Sequence, residues 1–82
     1  MPTIFVFLGL RFFFYSNENQ EPMHVHVKSG NGEAKFWLNP EIKCESNYGF
    51  NEKEIRKIKE IILERKKEIS DKWVEYFNEN KK

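Results

Sequence analysis

With 82 residues, 33% of them charged and 16% aromatic, the chain has room for one small domain and a composition that excludes a disordered or low-complexity segment. Its 14 basic and 13 acidic residues leave a net charge of +1, which excludes a global field that would gather DNA or an anionic membrane; any RNA contact would be local. The only cysteine, Cys44, rules out an intramolecular disulfide and suits a reducing compartment, so the expected location is cytoplasmic.

The apolar run from Ile4 to Tyr15 is not expected to be a signal peptide. No basic residue precedes it, Arg11 interrupts it, and it is too short to span a bilayer. It reads instead as two strands, Ile4–Leu8 and Arg11–Tyr15, dense in β-branched and aromatic residues and joined at Gly9-Leu10. A glycine first in a two-residue loop suits a type II′ hairpin. That register sets Leu8 against Arg11, Val6 against Phe13 and Ile4 against Tyr15. Phe5, Phe7, Phe12 and Phe14 then share the core face. Both faces of this hairpin are apolar, so it must be covered twice or present a patch.

A polar loop spans Ser16 to Met23. The second hairpin, His24–Lys28 and Glu33–Leu38, turns at Ser29-Gly30-Asn31-Gly32, where Asn-Gly between alternating runs is a strong hairpin signal. Whether this loop holds two residues or four, parity puts His24, His26 and Lys28 on one face with Glu33, Lys35 and Trp37. Val25, Val27, Ala34, Phe36 and Leu38 take the core face. Asn39-Pro40 ends the strand, and Glu41 to Cys44 could add a short further one. Tyr48-Gly49-Phe50 reads as the turn into a helix. There Asn51 caps, Glu54 completes a capping box, and Phe50 staples onto Ile55. Ile55, Ile58, Ile62, Ile69, Trp73 and Phe77 mark one stripe at helical spacing. The stripe skips a turn near Arg65-Lys66-Lys67, where a break is expected. The expected fold is therefore α+β: an antiparallel sheet of about four strands, in two hairpins, packed against a C-terminal helix or helix pair. Its strands fall within residues 3–45 and its helical part within 51–79 of a single domain, 1–82.

The sharpest chemical feature is His24-Val25-His26. Residues two apart in a strand lie about 6.5–7 Å apart on one face. Such a pair can ligate one metal, serve as general acid and base, or make ordinary hydrogen bonds. A metal site needs a third ligand, and Glu33, Glu18 and Cys44 are candidates that no spacing rule fixes. For acid–base chemistry, Arg11, Lys28 and Lys35 could stabilise a phosphate, while Tyr15 or Trp37 could stack on a base. These are the working parts of a metal-free ribonuclease, with no cofactor required. The plainer reading is a half-exposed sheet face that binds a protein or small ligand through Trp37, Glu33 and Lys28, or that merely meets solvent. Trp73 and Phe77 belong to the helix stripe and read as core, and Lys81-Lys82 is too short for a nucleic-acid tail. An N-terminal Pro2 could act as the base of a tautomerase, but those enzymes use a β-α-β unit, whereas here the strands come first and the helix last.

With these residues in view, the chain resembles the small, mostly bacterial family described as domain of unknown function 4160. The resemblance rests on Met1-Pro2-Thr3-Ile4, Arg11–Glu18, Pro22–Val27, Gly32–Leu38, Asn47-Tyr48-Gly49-Phe50 and Trp73. One departure is Met23, where the family pattern has a second proline. The resemblance implies a prokaryotic cytoplasmic protein encoded beside a second small protein, and hence one component of a toxin–antitoxin-like pair. Its expected partner is a small cognate protein or a second copy of itself, and the apolar first hairpin is the expected contact. RNA cleavage by His24 and His26, with Arg11, Lys35 and Tyr15 assisting, is one expected activity. Non-catalytic binding is the alternative, and a metal held by His24 and His26 is the third.

Overall fold

A computed structural model describes residues 3–15, 21–30 and 32–79. Pro2, Glu18, Asn31, Lys81 and Lys82 lie outside the described residues.

The first hairpin joins β1 (Thr3–Phe7) to β2 (Leu10–Phe13). Its turn is Leu8-Gly9 rather than Gly9-Leu10, with φ of 53° at Leu8 and 77° at Gly9. Two left-handed residues make a type I′ turn, whose twist matches that of the strands, and Gly9 takes the second central position without steric cost. Leu8 pays about 1 kcal/mol for its left-handed backbone. The pairs are therefore Phe7–Leu10, Val6–Arg11 and Phe5–Phe12. Each partner moves by two positions from the predicted register, so the faces survive the correction. Phe5, Phe12 and Phe14 stay on the core face and Leu10 joins them. Phe7, predicted as core, is 36% exposed. An irregularity between Thr3 and Phe5 lets Ile4 pack against the core instead of facing Tyr15.

The second hairpin follows the predicted parity. In β3 (His24–Ser29) and β4 (Gly32–Trp37), His24 pairs with Trp37, His26 with Lys35 and Lys28 with Glu33. Ser29 opposes Gly32, so the loop has two residues, beginning at Gly30 with φ 54°. Val25, Val27, Ala34 and Phe36 are buried on the opposite face. Gly32 is required by packing rather than by its backbone angle, since a Cβ there would lie 2.7 Å from the Phe50 ring.

The sheet has five strands where the sequence predicts about four. The short piece expected at Glu41–Cys44 is displaced: β5 runs over Lys43–Tyr48, past the expected limit at residue 45. A register shift opposite Lys35/Phe36 breaks its alternation, and Glu45, Ser46 and Asn47 carry no apolar signal that would reveal a strand. All neighbours are antiparallel, and the strand order β1-β2-β3-β4-β5 follows the chain.

Gly49, at φ 85°, turns the chain so that Phe50 enters the core. The capping box forms as expected: Asn51 Oδ1 accepts from Glu54 N at 2.8 Å, and Glu54 Oε1 accepts from Asn51 N at 2.9 Å. The helical segment divides where the stripe skips, into α1 (Glu52–Glu64) and α2 (Lys66–Glu79), with Arg65 as the C-cap of α1. Ile58, Ile61, Ile62, Ile69, Trp73 and Phe77 are buried against the core face of the sheet, with Ile55 half-buried beside them. The Arg65 guanidinium lies 4.5 Å from the Phe5 ring centre and 4.6 Å from that of Phe7. It thereby ties the helix break to the edge strand.

Candidate functional site: a histidine–aromatic face

The face opposite the core is built by alternation. Every second residue of β2, β3 and β4 points to it, so cross-strand pairing sets Arg11 beside Lys28, Phe13 beside His26, His26 beside Lys35 and His24 beside Trp37. Tyr15, two residues beyond β2, returns over the same face. Its ring meets His26 edge-on at 4.5 Å, and its hydroxyl donates to Glu33 Oε2 at 3.2 Å. His26 also stacks on Phe13 at 5.5 Å and meets His24 edge-on at 5.1 Å. The structure thus brings Tyr15, His26, His24, Lys35, Trp37 and Glu33 together, with Arg11 and Lys28 at one side.

The two histidines differ from the half-exposed pair that the sequence suggests: His24 is 0% exposed and His26 is 6% exposed. His24 opens β3 at the end of the sheet where α2 passes, and Trp73 of α2 closes over it at 5.1 Å. The same indole meets Phe14 at 5.1 Å, so it touches one residue from each sheet face. On its other side His24 meets Trp37 at 5.6 Å. Its Nδ1 lies 2.9 Å from the Pro22 carbonyl oxygen. A carbonyl only accepts, so Nδ1 is the donor in this contact.

The cations are held with equal economy. Lys35 donates to Glu21 Oε1 at 2.6 Å and lies 4.5 Å from the centre of the Trp37 ring, while that carboxylate stands 3.9 Å from His24 Nδ1. The Trp37 indole N–H donates to Glu45 Oε2 at 2.6 Å. Arg11 donates from Nε to Thr3 Oγ1 at 2.8 Å and lies 4.8 Å from the centre of the Phe13 ring. Lys28 is exposed and, like Arg11, has no carboxylate within ion-pair distance among the described residues.

For a metal, neither Cys44 nor Glu33 converges on the histidines, and Glu18 lies outside the described residues. Cys44, on β5, pairs with Phe36 of β4 and packs against the core, on the opposite face. Burial there pushes its thiol pKa up, and the neighbouring Glu45 charge adds to the shift. Glu33 accepts from Tyr15. Among the described residues no three His, Cys, Asp or Glu side chains gather closely enough to hold a metal ion. Trp73, Phe13 and Glu21 complete the site and were not singled out for it from the sequence. Phe13 shared the parity of the face, whereas Trp73 gave only a core signal and Glu21 none.

Fold and face together define a small α+β protein: a five-stranded antiparallel meander backed by a helix pair, with a closed histidine–aromatic layer on its other side. The chain belongs to the family described as domain of unknown function (DUF4160), whose family model matches residues 9–74. That span runs from the turn of the first hairpin through Trp73 and includes every residue proposed for the site. No curated protein and no solved structure gives a significant match. Among the described residues, no helix is long and apolar enough to cross a membrane.

Proposed function

We propose that this chain is a non-catalytic protein-binding module, the cytoplasmic component of a two-protein pair, and that it engages its partner through the β1–β2 hairpin. One observation carries the reading. The groups with chemistry to offer are closed in, whereas Val6 (65%), Phe7 (36%) and Leu8 (67%) are exposed together on an edge strand and its turn. An uncharged apolar edge is what a partner strand or surface covers. The buried histidines act as a packed polar layer that holds the sheet end against α2.

Co-purification of the adjacent gene's product with the tagged chain tests the proposal. Wild type retains that protein, a Val6→Lys/Leu8→Lys variant loses it, and a His24→Gln/His26→Gln variant that remains folded keeps it. Equal retention by the Val6/Leu8 variant refutes the proposal.

The contiguous row Tyr15–His26–His24, flanked by Lys35 and Arg11, favours a second reading as a metal-independent ribonuclease. RNA cleavage by wild type that disappears in the folded double-histidine variant would replace the binding reading with this one.

A further inference from the structure

We infer that the segment docking on β1 is an extended acidic stretch of another protein, added as a sixth strand; this rests on the binding role of β1 proposed above. Among the described strands the sheet ends in β1 on one side and β5 on the other. Both edges carry a register irregularity, but only β5 is also blunted by charges, Lys43 and Glu45, as natural edges usually are. β1 (Thr-Ile-Phe-Val-Phe) contains no charge, yet an arginine crowns each of its faces. Arg11 reaches back from β2 to Thr3 Oγ1 at 2.8 Å. On the core face the Arg65 guanidinium lies 4.5 and 4.6 Å from the ring centres of Phe5 and Phe7.

These cations are poorly compensated. Arg11 has no carboxylate within ion-pair distance among the described residues and stands directly opposite Lys28, a like-charge pair that Glu33, across from Lys28 on the far side, offsets only in part. Among the described residues Arg65 has only Glu68, at 3.6 Å between a half-buried guanidinium and an exposed carboxylate, a pair of modest worth. A second copy of the chain would bring a β1 with no carboxylate and two further arginines, so charge selects against self-pairing. A foreign strand satisfies both arginines if it carries one carboxylate on each face. Because side chains alternate, those carboxylates fall at adjacent positions or at another odd spacing. The remaining residues of the segment are apolar and cover Val6 and Phe7. Main-chain pairing then supplies affinity, and the paired charges supply selectivity.

The test uses the full chain and three fluorescein-labelled strand-forming peptides, identical except for Glu, Gln or Lys at two adjacent central positions. By fluorescence anisotropy at low salt, the Glu peptide is expected to bind about tenfold tighter than the Gln peptide and the Lys peptide weakest. Arg11→Gln and Arg65→Gln each reduce the Glu-over-Gln advantage, high salt does the same, and Val6→Lys weakens all three peptides. Urea midpoints check that every variant is folded. Equal binding of the Glu and Gln peptides, still lost in Val6→Lys, overturns the acidic segment while leaving β1 as the docking edge. A concentration-dependent dimer in sedimentation equilibrium that Val6→Lys abolishes makes a second copy the occupant, which also overturns it. If no peptide binds while the adjacent gene's product is still captured through Val6, strand addition itself is refuted.

Discussion

Replacing His24 separates a histidine built into the fold from one held for chemistry. The ring is wholly buried, donates one hydrogen bond to the Pro22 carbonyl at 2.9 Å, and meets Trp37, Trp73 and His26 edge-on. His24→Phe retains a ring of similar size and loses the hydrogen bond, a loss of about 0.5–1.5 kcal/mol. His24→Ala also removes the three ring contacts and leaves a void, for a total of about 3–4 kcal/mol. A chain of 82 residues is expected to have about 4–12 kcal/mol of stability in all, so the alanine variant approaches the limit of folding. Urea titration followed by tryptophan fluorescence suits the question, because the only two tryptophans, Trp37 and Trp73, both touch this ring. With a slope of about 1 kcal/mol per molar urea, the phenylalanine variant unfolds about 1 M earlier and the alanine variant about 3 M earlier. Midpoints for both variants within ~0.5 M of wild type would refute the buried placement of His24 and reopen the catalytic reading.

Three further outcomes follow from the fold. Asn51→Ala removes the side-chain acceptor of the capping box and is expected to cost about 1 kcal/mol by urea titration, with α1 fraying from Glu52 in hydrogen exchange. Gly32→Ala drives a methyl group to within 2.7 Å of the Phe50 ring and should cost about 1–3 kcal/mol; a thermal midpoint equal to wild type would show that the ring yields freely. Cys44 should react with iodoacetamide more slowly in the folded chain than in urea, because burial raises its pKa and leaves less thiolate. A raised folded-state pKa means that the thiol's contribution to stability is present below the ordinary thiol value. That contribution fades as pH rises through the folded-state value, so Cys44→Ala should flatten the alkaline side of the stability profile.

What could be read from the sequence was what parity and local chemistry control. The shared face of His24, His26, Lys28, Glu33, Lys35 and Trp37 holds for any even loop length, and the loop proved to have two residues. The capping box at Asn51 and the break at Arg65 were visible because both depend on neighbours within one turn. The first turn was misplaced by one residue, since an exposed leucine in the left-handed region runs against its own preference. β5 was cut short because its central residues are polar and its register slips. The closure of His24 depends on Trp73, far along the chain, and an indole on a helix stripe does not announce that it will also cap the end of a sheet.

Strand order that follows chain order has a kinetic meaning. Every pairing in this sheet joins consecutive segments, so each closes over a connection of ten residues or fewer, at modest entropic cost. The helix pair must close much longer loops: Arg65 reaches back to Phe5, and Trp73 to Phe14 and His24. Pairing in chain order keeps the contacts within the sheet local, which favours early formation of the sheet. The histidines are shut away by one of the distant contacts, that of Trp73 with His24.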